Sequence, residues 1–336
     1  MLPRGSREKS AHARRPDELP PVASVLERGE VVAFRGQSAD VRIGDLVRRC
    51  VLRGRLETAD SEDRSLLAVG DLVEISPLGE REGVVERRLP RRSILVRGDE
   101  HVRRFRHVMA ANVDGVVLVT SIREPEFRPG IVDRFLVAAS SQDLPASLVI
   151  NKIDLAAEGE SREELERWRA LYASLGVRVA LTSALERTGL NELEALLRQG
   201  RMVLVGHSGV GKSSLLNTLD PALALPARPV NRKTGKGAHT TSVAVLLRLS
   251  SGIEAIDTPG VRELDIIDVA SGDLHAHFAE FVPLIGSCRM DGCAHRAEPG
   301  CAIKAALESG SIHPRRYESY LTIREELERA ERTHEG

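Results

Sequence analysis

The middle of the chain contains a series of short apolar runs, each followed by a turn or a polar segment. Apolar strands are predicted at residues 113–120, 148–150, 177–181, 202–205 and 253–256, and a helix is predicted to begin at Ser213 and to reach Leu219. Continuous apolar runs that end in turns are typical of strands covered on both faces. The pattern therefore predicts an α/β domain, to which we assign residues 107–268.

The N-terminal part has a different pattern of apolar and polar residues. Short alternating strands are predicted at residues 30–35, 47–52, 72–75 and 83–85, glycines separate them, and no helical period is present. Such a pattern favours a small β-barrel, which we assign to residues 26–106. Residues 1–25 are basic and polar and are predicted to be a disordered arm, which either contacts RNA or is a solvated tail without a role.

The remaining residues, 269–336, are predicted to be mainly helical, with helices at 302–309 and 317–332. A length of 336 residues fits two or three domains. No apolar run is long enough for a membrane span, and the basic N-terminus lacks the apolar segment of a secretory signal, so we expect a cytoplasmic protein without a membrane partner. The formal net charge is −1, so any nucleic-acid binding must come from local patches.

Short polar motifs follow the predicted strands in an informative order. Asn-Lys-Ile-Asp at 151–154 comes first, then Thr-Ser-Ala at 182–184, Gly-His-Ser-Gly-Val-Gly-Lys-Ser at 206–213, Gly-Ala-His-Thr-Thr at 237–241 and Asp-Thr-Pro-Gly at 257–260. An ordinary GTPase domain carries the same elements but begins with the glycine-rich loop. The cyclic order is kept here, so the sequence predicts a circularly permuted GTPase domain.

The glycine-rich segment is predicted to bind phosphates, because backbone N–H groups at a helix N-terminus surround anions. Lys212 would reach the β- and γ-phosphates, and the hydroxyl of Ser213 would ligate Mg²⁺. Asp257 would hold Mg²⁺ through water, and the N–H of Gly260 would meet the γ-phosphate. The predicted phosphate-binding residues are Gly206, His207, Ser208, Gly209, Val210, Gly211, Lys212, Ser213 and Ser214.

The motif at 151–154 is predicted to select the base. The carboxylate of Asp154 can accept two hydrogen bonds from guanine N1–H and the 2-amino group, whereas adenine offers no such pair of donors. Asn151 and Lys152 complete this motif. Ser183 and Ala184 follow another predicted strand at a spacing that fits a base-binding loop. The nucleotide is therefore predicted to be GTP.

Three of the four cysteines lie close to a histidine. Cys288, Cys293, His295 and Cys301 follow the spacing C-x4-C-x-H-x5-C. Three thiolates and one imidazole suit a closed tetrahedral zinc site of structural type. A disulfide would leave one of these three cysteines unpaired. Cys50 stands alone and is predicted to be a small buried apolar residue.

Arginines accumulate at the end of the predicted barrel. They include Arg87, Arg88, Arg91, Arg92, Arg103 and Arg104. The forked donors of arginine suit phosphate groups, so we predict that these six residues bind the RNA backbone. A solvated barrel face without a partner is the alternative for the same residues.

The assembled motifs resemble the ribosome small-subunit-dependent GTPase A family over nearly the whole chain. The segments 293–301 and 316–320 are similar to the zinc signature and C-terminal helix of that family, and 237–241 is similar to its switch motif, with Ala238 where a basic residue is common. The resemblance implies an OB-fold, a permuted GTPase domain and a zinc domain in that order. It also implies binding to the immature small ribosomal subunit and its rRNA, with release after GTP hydrolysis. We expect a monomer.

The hydrolysis step is predicted to depend on positioning and charge neutralisation. Lys212 and Mg²⁺ supply positive charge, and either Thr240 or Thr241 binds Mg²⁺ and the γ-phosphate. Val261 follows the segment 257–260, where many GTPases place a glutamine that orients water. We therefore expect a slow intrinsic rate, with His239 either orienting the water or only packing in the loop.

Three other functions are alternatives for this sequence. A translation factor should carry the motifs in unpermuted order, which differs from the order here. A GTPase that assembles the large ribosomal subunit would share the permuted core but should lack the barrel and the Cys/His cluster. A GTP-regulated RNA-binding adaptor without catalysis would need neither Lys212 nor Asp257, yet both are present.

Overall fold

A computed structural model describes residues 25–57, 66–97, 107–156, 159–226, 244–258 and 264–334. Residues 1–24 of the predicted arm lie outside these ranges. None of the helices within the described ranges combines the length and apolar character needed to cross a bilayer.

Five strands in the described part of the N-terminal region close into a barrel. They are β1 (Glu27–Phe34), β2 (Ser38–Ile43), β3 (Leu46–Glu57), β4 (Leu72–Pro77) and β5 (Glu82–Arg88). The pairing runs β1–β2–β3–β5–β4, and β4 returns to β1. Only the β3–β5 pair is parallel among these contacts. This closed five-stranded arrangement confirms the predicted OB-fold barrel.

The barrel interior is filled by alternate residues of its strands. Val31, Val41, Cys50, Ile75 and Val85 are fully buried in one cluster. Burial raises the pKa of the Cys50 thiol to about 12, so this side chain acts as a small apolar residue, as predicted. The four predicted strands are confirmed, but β2 was missed because polar residues occupy half of its short length.

A short hairpin joins the barrel to the next domain. Its strands are β6 (Ile94–Arg97) and β7 (His107–Ala111), which pair antiparallel with each other. The domain boundary drawn from the sequence, between residues 106 and 107, therefore lies inside this hairpin.

The central domain contains a mostly parallel sheet. Its strands are β8 (Gly115–Ser121), β9 (Ala146–Asn151), β10 (Arg178–Leu181), β11 (Met202–Val205), β12 (Val245–Arg248) and β13 (Glu254–Asp257). They are ordered β10-β9-β8-β11-β13-β12, and β12 is antiparallel to β13. The helices are α1 (Pro129–Ser140), α2 (Glu160–Ser174), α3 (Leu190–Leu197) and α4 (Lys212–Leu219). This is the predicted permuted arrangement, with the strand before the glycine-rich loop fourth in chain order.

The barrel and the central sheet are continuous. Strand β1 pairs antiparallel with β12 at Ala33 and Val245, so eleven described strands form one sheet. Four charged side chains reinforce this contact, and we call them the junction ion cluster: Glu30, Arg42, Arg201 and Glu254. Arg42 and Arg201 each contact both glutamates, at 2.5–2.7 Å. Each side chain is at most 26% exposed, so solvent screens these pairs only in part.

The C-terminal region packs against α1. Its helices are α5 (Ala302–Glu308) and α6 (Pro314–His334), which confirm the two predicted helices. Phe278, Phe281, Tyr320 and Ile323 form its core together with Val137 of α1.

A buried polar network crosses the same contact. Arg316 of α6 donates to Asp133 of α1 at 2.8 Å, and Ser319 and Tyr172 donate to the same carboxylate. Glu280 accepts two hydrogen bonds from Arg316, at 2.7 and 3.1 Å. Both ions of the Arg316–Asp133 pair are almost fully buried, so loss of either partner would leave an uncompensated charge.

Candidate nucleotide site and metal centre

The glycine-rich loop connects β11 to α4 at the carboxyl edge of the sheet. Its close contacts require glycine at two positions. Gly206 has a φ of +150°, and a Cβ there would lie 2.1 Å from the carbonyl oxygen of Val119. Gly211 has a φ of +100°, and a Cβ would lie 2.3 Å from the amide nitrogen of Asn151. The loop is therefore wedged between β8 and the predicted base motif.

Lys212 and Asp257 lie together under this loop. The ammonium of Lys212 donates to the carbonyl of Gly206 at 2.5 Å and points to that of His207 at 3.4 Å. Burial lowers the pKa of Lys212, and the charge of Asp257 opposes this shift. Burial likewise raises the pKa of Asp257, and Lys212 opposes it.

One oxygen of Asp257 has no hydrogen-bond partner among the described residues. Its Oδ1 atom is buried and accepts no hydrogen bond from any described residue. A buried acceptor without a donor is costly unless a ligand completes it. Carboxylate and hydroxyl oxygens are the ligands that Mg²⁺ prefers, so Asp257 and Ser213 fit a Mg²⁺ ion that accompanies a nucleotide.

The base motif is tied to the phosphate loop by side-chain amides. Asn151, at the end of β9, donates to the carbonyl of Val210 at 2.8 Å and accepts from Thr182 at 3.1 Å. Lys152 has a φ of +60° and donates to the backbone carbonyl of Glu124. Burial lowers the pKa of Lys152, and the negative charges of Glu124 and Asp154 oppose this shift. The bond from Asn151 to Val210 joins the two predicted halves of the site.

The carboxylate of Asp154 is held by the neighbouring loop. Ser183 donates to its Oδ1 atom at 2.5 Å. The same hydroxyl accepts the backbone N–H of Glu186 at 3.1 Å, and Ser183 and Thr188 form an isolated bridge. Ala184 packs on the core beneath the loop. The predicted base residues therefore converge at one place.

Two contacts of this site were not anticipated. Thr258 donates to the carbonyl of Leu204 at 2.7 Å and so fixes the strand end that carries Asp257. The position of Thr258 within the motif 257–260 is the sequence signal that could have identified this contact. The carbonyl of Glu124 carries no sequence signal, because any residue supplies a carbonyl.

Several predicted residues lie outside the described ranges. They are His239, Thr240, Thr241, Gly260 and Val261, together with Arg103 and Arg104. Their predicted roles stay predictions.

The three clustered cysteines and His295 come together as a compact set. The ligand atoms of Cys288, Cys293, His295 and Cys301 all lie within 4.8 Å of one another. His295 Nδ1 lies 3.4 Å from the sulfur of Cys301 and 3.6 Å from that of Cys288. These distances are close to the edges, about 3.5–3.8 Å, of a tetrahedral zinc site.

The surroundings of the cluster fix its backbone. Tyr317 of α6 donates to the carbonyl of His295 at 2.7 Å. Glu298 accepts the N–H groups of Ala294 and Arg296 at 2.8 and 2.7 Å. All four cysteines of the chain are free thiols, so the disulfide alternative is wrong. The arrangement can hold a metal ion.

The predicted arginine surface is smaller than the sequence suggests. Arg91 is 3% exposed and binds Asp71 through two hydrogen bonds, at 2.7 and 2.8 Å. Arg88 is also buried. We therefore correct these two from surface residues to buried ones, which a bound RNA could not reach. Arg87 and Arg92 remain exposed, paired with Glu74 and Asp114.

A family model and similar proteins relate this sequence to the same group of proteins. The sequence model of the family described as RsgA GTPase matches residues 88–267. The protein named Small ribosomal subunit biogenesis GTPase RsgA from Chlorobaculum parvum is 42% identical over 80% of this chain and 88% of its own length. The protein of the same name from Moorella thermoacetica is 40% identical over 84% of this chain and 91% of its own length.

Two solved structures share the architecture. YjeQ from Thermotoga maritima superposes with a TM-score of 0.70 at 33% identity, over 90% of this chain and 99% of that protein. YloQ, described as a circularly permuted GTPase, gives 0.67 at 27% identity, over 91% and 96% of the two chains.

Proposed function

The chain belongs to the RsgA GTPase family and is a GTP hydrolase, and we propose that it binds the small ribosomal subunit during late maturation and leaves after hydrolysis. The relatives from Chlorobaculum parvum and Moorella thermoacetica are named for biogenesis of that subunit. The partners are then the subunit, its rRNA, GTP and GDP. The protein would act as a monomer in the cytoplasm, where subunits mature.

The proposal rests on the contact between the phosphate loop and the base motif. The bond from Asn151 to Val210 holds the two halves of a nucleotide site together, and the unpartnered Asp257 oxygen lies beside Lys212. A protein that did not bind a charged nucleotide would gain nothing from this costly buried carboxylate.

We assign the following roles within the site. Lys212 gives up its bond to the Gly206 carbonyl and binds the β- and γ-phosphates. Ser213 and Asp257 hold Mg²⁺, with Thr240 or Thr241 as a further ligand. Bound Mg²⁺ neutralises charge on the phosphates. The loop residues 206–214 surround the phosphates, and Gly260 contacts the γ-phosphate.

The base and the attacking water need other residues. Asp154, held by Ser183, accepts two hydrogen bonds from guanine, and Lys152 covers the base beside Ala184. His239 orients the water, because Val261 has no polar group for this task. Subunit binding would stimulate hydrolysis by placing His239 against the attacking water.

For the second site we propose one structural zinc ion. Three thiolates and one imidazole fill a tetrahedral coordination shell, so no position is left for a catalytic water. The zinc would stabilise the contact between the cluster and α6. For RNA we retain Arg87 and Arg92, with Arg103 and Arg104 as further contacts.

The decisive experiment measures the GTPase rate alone, with small subunits and with large subunits. We expect a slow basal rate that rises only with small subunits, and no hydrolysis by the Lys212→Ala variant. Stimulation by large subunits instead would favour the large-subunit alternative. A parent protein that binds subunits but hydrolyses no GTP in any mixture would favour the adaptor.

A further inference from the structure

A second recess lies at the edge of the sheet opposite the nucleotide site. Its volume is about 550 Å³, and it is bordered by the residues that precede β8, β11 and β13. Four arginines line it, namely Arg92, Arg198, Arg201 and Arg248, together with Asp114 and Glu254. We call it the arginine cleft. Arg198 and Arg201 are three residues apart, but Arg92 and Arg248 come from distant parts of the sequence, so the fold brings the three segments together.

Arg201 forms the inner wall of the arginine cleft. It belongs to the junction ion cluster, where it contacts Glu30 at 2.5 Å and Glu254 at 2.7 Å. Its side chain is 15% exposed. The guanidinium of Arg201 is therefore held in the contact between barrel and sheet, and Arg201 and Arg42 neutralise the charge of Glu254 there.

The other three arginines are available at the rim. Arg92 is 57% exposed and Arg198 is 52% exposed, and among the described residues each pairs with one carboxylate. Arg92 also donates to the backbone carbonyl of Asn112 at 2.8 Å. Arg248 is exposed, and no acidic side chain in the described part of the chain pairs with it. Exposed ion pairs contribute little to stability, so these guanidinium groups can exchange a carboxylate for another anion at little cost.

The shape and donors of the arginine cleft favour a phosphodiester backbone. Three guanidinium forks face one open recess, and each fork can bind two oxygens of a phosphate group. A lone metabolite would need an enclosed pocket with buried polar groups, whereas this recess is open and its free donors lie at the rim. A polyanion that passes along the rim can meet all three arginines in succession.

We propose that Arg92, Arg198 and Arg248 bind backbone phosphates of RNA in the arginine cleft. This inference rests on the proposed function, because a ribosomal subunit supplies the RNA. It extends the RNA surface from the barrel, through Arg92, to the underside of the GTPase domain. The RNA bound there lies at the opposite edge from the phosphate loop, so GTP and RNA occupy the protein together.

The test compares two double variants of the full chain. R198A/R248A removes two rim arginines, and R167A/R169A removes two exposed arginines of α2, beside the sheet edge farthest from the barrel. Each variant is titrated against purified small subunits and against a short RNA duplex at several salt concentrations. GTP binding and thermal unfolding of the same samples report on folding.

We expect R198A/R248A to weaken binding to both probes roughly tenfold and to lower the slope of log K against log salt by about two. R167A/R169A should match the parent. Equal loss in the two variants would attribute the effect to net charge and overturn the proposal. Weaker subunit binding with unchanged duplex binding would show that the cleft holds an acidic protein surface, which also overturns it.

The remaining outcomes separate this proposal from the proposed function. If the parent binds small subunits and R198A/R248A binds both probes equally well, the arginine cleft is not an RNA site and the proposed function stands. If the parent fails to bind small subunits, the proposed function fails, and the duplex titration alone decides the cleft.

Discussion

At the scale of single residues, we propose that base choice depends on the carboxylate of Asp154, which the hydroxyl of Ser183 holds in place. An amide at this position presents one donor and one acceptor, which suits xanthine better than guanine. We therefore expect Asp154→Asn to lose GTP affinity by at least tenfold and to gain affinity for XTP. Competition binding with GTP, XTP and ATP measures the change, and the exposed Asp291→Asn is the matched control. A variant that still prefers GTP would remove Asp154 from base recognition.

The residues of this site could be predicted from the sequence because their motifs are local. A glycine-rich loop or an Asn-Lys-x-Asp turn needs only a few consecutive residues to define its chemistry. Burial is a property of the whole fold. Arg91 looked like a surface cation until the structure placed it against Asp71, 20 residues away in the sequence. The sequence likewise did not indicate Arg248 as a binding residue, because its exposure and its neighbours depend on the whole fold.

At the scale of elements, the contact between β1 and β12 depends on the junction ion cluster. Burial would raise the pKa of Glu254, but hydrogen bonds from Arg201 and Arg42 outweigh it, so the pKa is lowered. A carboxyl group with a lowered folded pKa adds stability above its ordinary pKa, and this contribution is lost as the pH falls through the folded value. Removing the charge leaves two guanidinium groups with one carboxylate.

We therefore expect Glu254→Gln to lower the free energy of unfolding at pH 7 by about 1–3 kcal/mol. The difference from the parent should shrink as the pH falls below the ordinary carboxyl range. Urea unfolding at several pH values measures both effects. Glu318→Gln, which breaks an exposed pair with Arg315, should change little. An unfolding difference for Glu254→Gln that is independent of pH would show that the charge is not responsible.

Some of the elements could be predicted. The sequence did not predict the strands β2, β6, β7 and β12 or the helices α1, α2 and α3, and it did not predict the long-range strand partners. Apolar runs identified the parallel strands, and the glycine-separated strands identified the barrel. The pairing of β1 with β12 joins segments more than two hundred residues apart, and neither strand carries a sign of its partner. The hairpin of β6 and β7 crossed the boundary that composition suggested.

The cluster of Cys288, Cys293, His295 and Cys301 connects the C-terminal elements with one another. Cys301 immediately precedes α5, and the carbonyl of His295 is bound by Tyr317 of α6. We expect elemental analysis to find about one zinc per chain. Cys293→Ser should lose the metal and lower the free energy of unfolding by several kcal/mol, since metal binding and folding are coupled. Cys50→Ser, in the barrel, should keep the metal. Metal-free protein with parental stability would contradict the site.

At the scale of the whole molecule, the permutation places the C-terminal region directly after the segment 257–260. Leu264 already packs in the main core of the GTPase domain, and α6 is joined to α1 by the buried Arg316–Asp133 pair. If the segment 257–260 binds the γ-phosphate as proposed, a change there has a short path along the chain to the C-terminal region.

From this arrangement we expect tighter binding of small subunits in the GTP state than in the GDP state, by about 5–150-fold. Linkage requires the subunit to favour GTP over GDP by the same factor. Pelleting with a GTP analogue and with GDP measures the first quantity, and nucleotide titration with subunits present measures the second. Lys212→Ala, which should bind neither nucleotide well, is the control. Equal subunit affinity in the two states would show that no such coupling exists.

The continuous sheet also has a consequence for the order in which the chain folds during synthesis. The barrel and the strands β8, β9 and β10 leave the ribosome first. The barrel and this half-sheet each have a strand edge to which a later strand is added. The last segment to join them is β12 and β13, and it brings together residues such as Arg42 and Glu254 that are 212 positions apart. Closing so long a loop is slow because its entropic cost precedes the contacts that reward it. We therefore expect a nascent chain that ends before residue 244 to hold a folded barrel beside an open half-sheet. Protease protection of β1 around Ala33, where β12 pairs, should increase further once β12 has been made.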